Sequence, residues 1–265
     1  MPIKFGLLTN PQINIIQEIK TIKDIGVDYV EVGIEWPGGS TDFIIENKDI
    51  IINLLGQFKH PPVGHTAWWI DLGNIYEIVR KSWVEEAKRA VDAAKALKLT
   101  TVNFHFYSSR ITETYKDYHK EMLDNIVKSL KEVVTYAKKY KITVMYENAP
   151  LKKEVVGIKE YKYVIDKVPG LKVHLDIGHA FVENGMKGIK SYLATFGSKL
   201  HHIHIHDNSG EGDEHLPLGD GGINFRQVAR WLKEIKYDRT LTFEVFTSKQ
   251  DAKESILRFK ELLPK

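Results

Sequence analysis

Five of the eleven histidines in this 265-residue chain fall within residues 199–222, a segment with the sequence KLHHIHIHDNSGEGDEHLPLGDGG. Imidazole nitrogens bind transition metals, carry protons near neutral pH and make hydrogen bonds in protein cores. The segment is therefore a candidate metal site, a pH-sensitive surface, or a strand rich in imidazole. The chain has no cysteine, so a metal would be held by histidine, carboxylate or water ligands, and disulfides and thiol nucleophiles are excluded.

Eight short apolar segments alternate with longer stretches of helical periodicity, and each apolar segment is typical of a buried parallel strand. The predicted strands span residues 3–8, 28–34, 62–67, 100–106, 142–148, 171–177, 200–206 and 240–246. Of the predicted helices, 82–99 places Val84, Ala87, Val91, Ala94 and Leu97 on one apolar stripe. Right-handed strand–helix units in this number close into a barrel, so we predict a single α/β domain, a (β/α)8 TIM barrel over residues 1–265. An open doubly wound sheet is the alternative.

A TIM barrel presents its reacting groups at the C-terminal ends of the strands, and the ionisable residues of this sequence fall there. They are His65, His105, Glu147, Asp176, His204 and Glu244 on the strands, and His179, Asp213 and His215 in the segments that follow. Alternate residues of a strand face opposite sides, so Glu147 and Glu244 should point into the barrel, away from the apolar outward faces.

The same alternation assigns different directions to the histidines of strand seven. Ile203 and Ile205 should face outward, which turns His202, His204 and His206 inward and turns His201 outward. His202 should lie deep in the barrel, His204 near its mouth and His206 at or above the mouth. Taken singly, His201, His202 and His206 are interpreted as hydrogen-bonded strand residues, and His174 as a core or supporting residue. His60 and His119 are predicted at the surface.

Three carboxylates, from Glu147, Asp176 and Glu244, are expected to converge with His204, and no lysine or arginine lies at the same strand ends. Burying such carboxylates without a partner is costly, so a divalent cation is the simplest explanation. Mixed imidazole and carboxylate ligands suit Mn²⁺, Zn²⁺, Co²⁺ or Fe²⁺ better than Ca²⁺. We expect Mn²⁺ or Zn²⁺, with Co²⁺ as a further option.

These motifs resemble those of the xylose isomerase-like barrel superfamily over nearly the whole chain. The resemblance is carried by YEN (146–148), LDIGHA (175–180), HIHDNSGEGDEHLPLGDGGINF (204–225) and FEV (243–245). The superfamily contains sugar isomerases and epimerases of the tagatose 3-epimerase type, and abasic-site nucleases of the endonuclease IV type. Its epimerases imply one metal held by Glu147, Asp176, His204 and Glu244.

The endonuclease type implies a larger cluster of three metals. Its further ligand positions match His65, His105, His179, Asp213 and His215, all of which are present. Three features of the sequence count against a nuclease. The second strand, GVDYVEVGIEW, resembles that of the isomerases, the loop from His204 to Asp213 is short, and FHFYSS lacks a glycine-rich continuation. A nuclease would also need a basic groove for phosphates, whereas lysines and arginines are scattered along the helices.

We therefore expect a metal-dependent isomerase or epimerase of a sugar or sugar phosphate, acting through an enediolate. Glu147 and Glu244 would exchange the substrate proton, and His179 would polarise a substrate oxygen. Trp68, Trp69, Phe106 and Phe181 would wall the pocket, or pack as ordinary core residues. In the alternative, an endonuclease IV-like abasic-site phosphodiesterase, Trp68 and Trp69 would insert into duplex DNA. A sugar-binding barrel without catalysis is a third, weaker reading.

The remaining expectations concern partners and location. The substrate would be a small sugar, with nucleic acid as a partner only for the nuclease, and a homo-oligomer is possible. The glycine-rich loop 218–222 precedes a helix and could hold a substrate phosphate, although turn geometry explains its glycines equally well. No apolar stretch is long enough to span a membrane and the N-terminus lacks a signal-peptide pattern, so we expect a cytoplasmic protein.

Overall fold

The computed structural model describes residues 3–107, 116–152 and 156–263. Eight parallel strands pair in chain order and close into one barrel. They are β1 (Lys4–Leu8), β2 (Tyr29–Ile34), β3 (Val63–Thr66), β4 (Thr101–His105), β5 (Thr143–Glu147), β6 (Lys172–Asp176), β7 (Leu200–Ile205) and β8 (Thr240–Phe243). The predicted TIM barrel is confirmed. The open sheet is wrong, because β1 pairs with both β2 and β8.

Helices alternate with the strands and cover the outside of the barrel. They are α1 (Ile15–Ile25), α2 (Thr41–Glu46), α3 (Lys48–Leu55), α4 (Glu77–Ala96), α5 (His119–Lys138), α6 (Ile158–Lys167), α7 (Ile177–Phe196), α8 (Phe225–Glu234) and α9 (Lys249–Leu262). Residues 1–2, 108–115, 153–155 and 264–265 of the predicted domain lie outside the described part. Within that part, no helix is long and apolar enough to cross a membrane.

Alternation along the strands divides the molecule into an apolar outer layer and a polar interior. The outward residues of β2, Val30, Val32 and Ile34, are buried in the main hydrophobic core between the strands and the helices. The predicted stripe on α4 is buried in the same core. Apolar burial of this kind supplies most of the driving force for folding, which leaves the barrel interior free to hold polar groups.

The bottom of the barrel is closed by a small apolar plug. Tyr29, Val63 and Met145 form a buried cluster separate from the main core. A glycine is required beside it, because a Cβ atom at Gly6 would lie 2.3 Å from the Tyr29 ring. The Tyr29 hydroxyl lies 2.7 Å from Thr242 Oγ1, which begins the polar layer above the plug.

The loop after β7 is held by the Asp207 side chain. One carboxylate oxygen accepts hydrogen bonds from the amides of Asn208 and Ile223, and the other accepts from the amide of Gly219. Asp207 and Leu216 also exchange two backbone hydrogen bonds of 2.9 Å. These contacts tie both ends of the loop to the mouth of the barrel.

The expectation that loop 218–222 holds a phosphate receives no support from its geometry. The Gly219 amide already donates to Asp207, the Leu218 amide to Ser255 and the Gly222 amide to the Asn208 carbonyl. A Cβ atom at Gly221 would lie 2.3 Å from Asp207 Oδ1. The glycines therefore serve the close approach of this loop to Asp207.

We expect the Asp207→Ala variant to lose about 2–4 kcal/mol of unfolding free energy, because amides that are now satisfied would lose their acceptor. Urea unfolding in the presence of a chelator measures this loss without a contribution from bound metal. The matched control is Asp220→Ala, which changes an exposed residue of the same loop and should stay within about 0.5 kcal/mol of the parent protein. Equal stability of the two variants would contradict the role given to Asp207.

Candidate functional site

The four predicted ligands of a single metal lie together at the mouth of the barrel. Glu147 ends β5, Asp176 ends β6, His204 lies in β7, and Glu244 directly follows β8. One potential ligand atom from each lies within 4.8 Å of those from the other three. From His204 Nδ1, the nearest carboxylate oxygens are 3.0 Å away on Glu244, 3.4 Å away on Glu147 and 3.9 Å away on Asp176.

These residues are buried, yet several of their polar atoms have no hydrogen-bond partner among the described residues. Such atoms include Glu147 Oε1, Asp176 Oδ2 and His204 Nδ1. Buried polar groups are normally hydrogen-bonded, so unpartnered atoms at one point indicate a missing ligand. A cation coordinated by these carboxylate and imidazole atoms would satisfy all of them, so the donor set fits a divalent metal.

Glu31 lies directly beneath this set and fixes the orientation of two histidine rings. Its Oε2 atom lies 2.8 Å from His202 Nε2 and 3.0 Å from His204 Nε2. Since Nε2 of His204 is directed at Glu31, Nδ1 is the nitrogen directed toward the other carboxylates. A carboxylate in this position selects the ring tautomer and makes the free nitrogen a better ligand.

A second group of potential ligands lies beside the first. His65 Nε2 is 3.0 Å from His105 Nε2, and His105 Nε2 is 3.1 Å from Glu147 Oε2. Asn103 donates a hydrogen bond to the same Glu147 oxygen. The other nitrogen of His65 lies 3.6 Å from Glu35. Glu147 therefore belongs to both groups, and His65 also lies 3.6 Å from Glu244 Oε1.

A third group lies above β6 and β7. His206 Nε2 lies 3.3 Å from both Asp176 Oδ1 and Asp213 Oδ1. His179 Nε2 and His215 Nε2 lie 3.3 Å and 3.2 Å from Asp213 Oδ2. The Asp176 side chain also accepts a hydrogen bond from the His179 amide at the start of α7, and this contact couples the third group to the first.

Close packing of imidazoles and carboxylates shifts their pKa values in opposite directions. Burial alone would lower the pKa of His204, but Glu244, Glu31 and Glu147 raise it well above its usual value. Burial would raise the pKa of Glu147, but His174, His204 and His105 lower it well below its usual range. The pKa of Asp176 falls to about 2 because the attraction of His179 and His206 exceeds the effect of burial. Each charge stabilises its opposite, so the cluster attracts both protons and cations.

The cavity above the ligands measures about 940 Å³. Its floor contains Glu147 and Glu244 together with residues of the second and third groups, whereas Asp176 and His204 are fully buried beneath it. Trp68, Trp69 and Phe106 line the cavity, as predicted from the sequence. None of the described residues that line it is a lysine or an arginine.

Phe181 does not line this cavity and packs as a core residue, which was the alternative to a place in the pocket wall. It lies on α7, and its ring packs against Gly210 and Gly222 of the loop after β7 and against the main core. The ring therefore supports that loop from behind. The helical turn that directs His179 toward Asp213 directs Phe181 away from the cavity.

The structure adds residues that the sequence interpretation did not place in the site. Glu31 and His206 are fully buried within the ligand groups, and Trp36 and Tyr107 line the cavity. His206 had a usable signal, because strand alternation turns it inward with His204. Strand alternation also turns Glu31 inward, on the same face of β2 as Tyr29 and Gly33. Trp36 and Tyr107 lie in loops that follow strand ends, where no periodicity of the sequence indicates the direction of a side chain.

Comparison with known proteins places this geometry in a family. The xylose isomerase-like TIM barrel family matches residues 19–262. An uncharacterized protein of Methanocaldococcus jannaschii is 36% identical, over 75% of this chain and 69% of its own length. A probable endonuclease 4 of Aquifex aeolicus is 27% identical over 93% of this chain and 92% of its own. A crystal structure of a D-tagatose 3-epimerase-like protein superposes with a TM-score of 0.84 at 28% identity, covering 98% of this chain and 97% of that one.

The chain belongs to the xylose isomerase-like TIM barrel family. This membership confirms the resemblance drawn from the motifs at the strand ends. The relatives include both an epimerase-like protein and a probable endonuclease, so membership alone leaves the reaction open. The ligand roles given to Glu147, Asp176, His204 and Glu244 stay predictions.

We expect the His204→Ala variant to lose high-affinity binding of Mn²⁺, because it removes a nitrogen that lies within 3.9 Å of all three carboxylates. The matched control is His201→Ala. His201 lies on the same strand but contacts Arg239 through Nδ1, outside the ligand groups, so metal binding should be nearly unchanged. Isothermal titration of chelator-treated protein measures both affinities. A similar loss in the two variants would show that the inward direction of His204 does not matter.

Glu31→Gln should weaken Mn²⁺ binding about 10–100-fold, because it removes the charge that fixes the His204 ring. The control is Tyr29→Phe, which removes a hydrogen bond to Thr242 in a neighbouring layer of the barrel interior without touching His204. Both variants should be less stable, but only Glu31→Gln should bind metal more weakly. Unchanged affinity in Glu31→Gln would mean that packing alone orients the ring.

Proposed function

We propose that the protein is a divalent-metal-dependent sugar isomerase or epimerase. The observation that carries this proposal is the division of the four candidate ligands between two levels. Glu147 and Glu244 line the cavity from two non-adjacent strands, β5 and β8, whereas Asp176 and His204 do not line it and lie fully buried. The first two carboxylates therefore border the space that a substrate would occupy, and the other two groups would anchor the metal.

Glu147, Asp176, His204 and Glu244 would hold the metal, with Mn²⁺ or Zn²⁺ as the expected ion. When bound there, the ion supplies a positive charge that polarises a carbonyl and stabilises the negative charge that develops on its oxygen. The carboxylates carry the proton transfer. Both have pKa values below the usual range, so both are ionised and either can accept a proton at neutral pH.

The proton transfer takes place on the two sides of the bound sugar. One of the two carboxylates removes the proton from the carbon beside the carbonyl, the electron pair of that bond forms a carbon–carbon double bond, and the carbonyl π pair moves onto the oxygen to give an enediolate. The other glutamate takes up a proton from solvent and delivers it to the opposite face of the same carbon for epimerisation, and the first glutamate releases its proton to solvent. His179 lines the cavity, and its Nδ1 is bonded to the Asn148 carbonyl. Its Nε2 lies 3.3 Å from Asp213 Oδ2, so His179 would donate to a substrate oxygen through Nε2 by exchanging that partner.

An unphosphorylated sugar fits the lining better than a sugar phosphate. The described lining residues include no lysine or arginine, and the floor contains several carboxylates. The amides of Gly219 and Gly222 already have acceptors. A phosphate dianion would therefore find imidazoles and the bound metal as charged partners, beside several carboxylates, and none of the lysine or arginine donors that usually bind phosphate.

Endonuclease IV-like cleavage of abasic DNA is the second candidate. The second and third ligand groups favour it, because residues at all the further ligand positions of that type lie beside the first group. The absence of lysine and arginine from the described lining counts against it, since phosphate contacts dominate the affinity of proteins for DNA.

Exchange of solvent hydrogen tests the proposed reaction. Incubation of the wild-type protein with ketoses in D₂O should incorporate deuterium at the carbon beside the carbonyl. Glu244→Gln keeps the size and an oxygen atom at this position but removes the base. It should retain bound metal and lose exchange by about 10²–10⁴-fold or more.

Glu35→Gln is the matched control, because Glu35 lines the same cavity but contacts His65 rather than His204. It should retain most of the exchange. Turnover by a direct hydride shift would give little deuterium and leave Glu244 as a ligand only. Cleavage of an abasic duplex, without exchange in any ketose, would replace the isomerase proposal by the nuclease.

A further inference from the structure

We propose that the outer half of the cavity is a subsite for an uncharged apolar substituent carried by the substrate sugar. This inference rests on the proposed function and names its substrate class more closely. The substrate would be a ketose linked to an aromatic or aliphatic group, rather than a free sugar or a sugar phosphate.

The cavity has a polar floor and an apolar outer wall. The floor consists of the ionisable residues around the candidate metal ligands. The wall includes Trp36, Trp68, Tyr107 and Leu151, which come from the loops after β2, β3, β4 and β5. A free sugar presents hydroxyl groups on most of its surface, so it would find partners on the floor and few on this wall.

The wall contains large aromatic surfaces exposed to solvent. Trp36 is 71% exposed and Trp68 is 58% exposed. The Trp68 ring contacts the rings of Trp69 and Tyr107, at centroid distances of 5.6 Å and 6.1 Å. An exposed aromatic patch at the edge of a concave site is typical of a binding surface, because burial of its apolar area is favourable.

The cavity is also large for a single sugar. Its volume of about 940 Å³ lies near the top of the range of roughly 300–1,000 Å³ found for sites that enclose drug-sized ligands. A monosaccharide positioned over Glu147 and Glu244 would occupy the floor and leave the aromatic wall uncovered. A substituent on the sugar would extend from the floor to the wall and bury both.

The chemistry of the outer wall favours a neutral substituent. Its described residues are uncharged, so a charged group would gain no partner there, whereas the charged groups of the lining lie on the floor. The same argument counts against the phosphates of a nucleic acid, although a nucleobase could stack on the wall.

The probes for this proposal are D-fructose, 6-O-benzyl-D-fructose and D-fructose 6-phosphate. Binding to metal-loaded protein is measured by isothermal titration, and each sugar is then tested for deuterium exchange in D₂O. We expect the benzyl compound to bind at least about tenfold more tightly than D-fructose, because its ring contacts the aromatic wall. The phosphate ester should bind more weakly than D-fructose.

Two variants test the wall directly. Trp36→Ala and Trp68→Ala should each remove most of the advantage of the benzyl compound, so that its affinity falls to within about threefold of the affinity of the same variant for D-fructose. Both side chains are largely exposed, so their loss should not prevent folding. The matched control is Tyr76→Ala, since Tyr76 is 64% exposed but does not line the cavity. It should retain the full preference.

The outcomes separate the subsite from the proposed reaction. Exchange in D-fructose without any preference for the benzyl compound would overturn the subsite and leave the reaction standing. A benzyl preference that depends on Trp36 and Trp68, without exchange in any probe, would support the subsite and overturn the reaction. Binding of none of the probes, tightest binding of the phosphate ester, or a change of oligomeric state in the tryptophan variants would each overturn the subsite. The last result would make the wall a contact between copies of the chain.

Discussion

The interior of this barrel depends on the contact of buried imidazoles with buried carboxylates. A lone ionised group in such a position would be destabilising by several kcal/mol, whereas neighbouring opposite charges offset much of that cost. His204 shows this most directly, because its two nitrogens face Glu31 on one side and Glu244 on the other. Protons can neutralise the cluster when no cation is bound. The same buried groups therefore determine both the affinity for a cation and the affinity for protons.

The barrel separates stability from chemistry along its axis. The apolar plug at Tyr29, Val63 and Met145 closes the bottom, and the helices bury the outer faces of the strands. Above the plug, Glu31 and His202 form a layer that does not line the described cavity. Glu31 orients His204, which in turn lies next to Glu147 and Glu244 at the cavity floor. Such support is needed because a ligand set functions only when its side chains are held in place by their neighbours. The candidate site is therefore confined to the one end of the barrel where loops can vary.

Strand alternation made much of this arrangement predictable from the sequence. Outward Ile203 and Ile205 were sufficient to turn His204 inward, and the paired strands bring it to Asp176 and Glu244 as expected. Alternation gives the direction of a side chain but not its partner, which is why the contact of Glu31 with two histidines was missed. The two alternatives for Phe181, pocket wall or core, stayed open for a different reason. Its direction depends on the turn of α7, and a sequence cannot show which side of that helix faces the cavity.

Asp207 makes the loop after β7 tolerant of changes in length. Its contacts with Leu216, Gly219 and Ile223 fasten the far side of the loop, so residues 209–212 lie between two fixed points. Lengthening a loop between fixed ends costs only about 0.6 kcal/mol for each doubling. Family members could therefore acquire insertions here that reach over the mouth, while the barrel beneath stays unchanged. New ligand preferences could then evolve by extension of one loop, without a new arrangement of the buried charges.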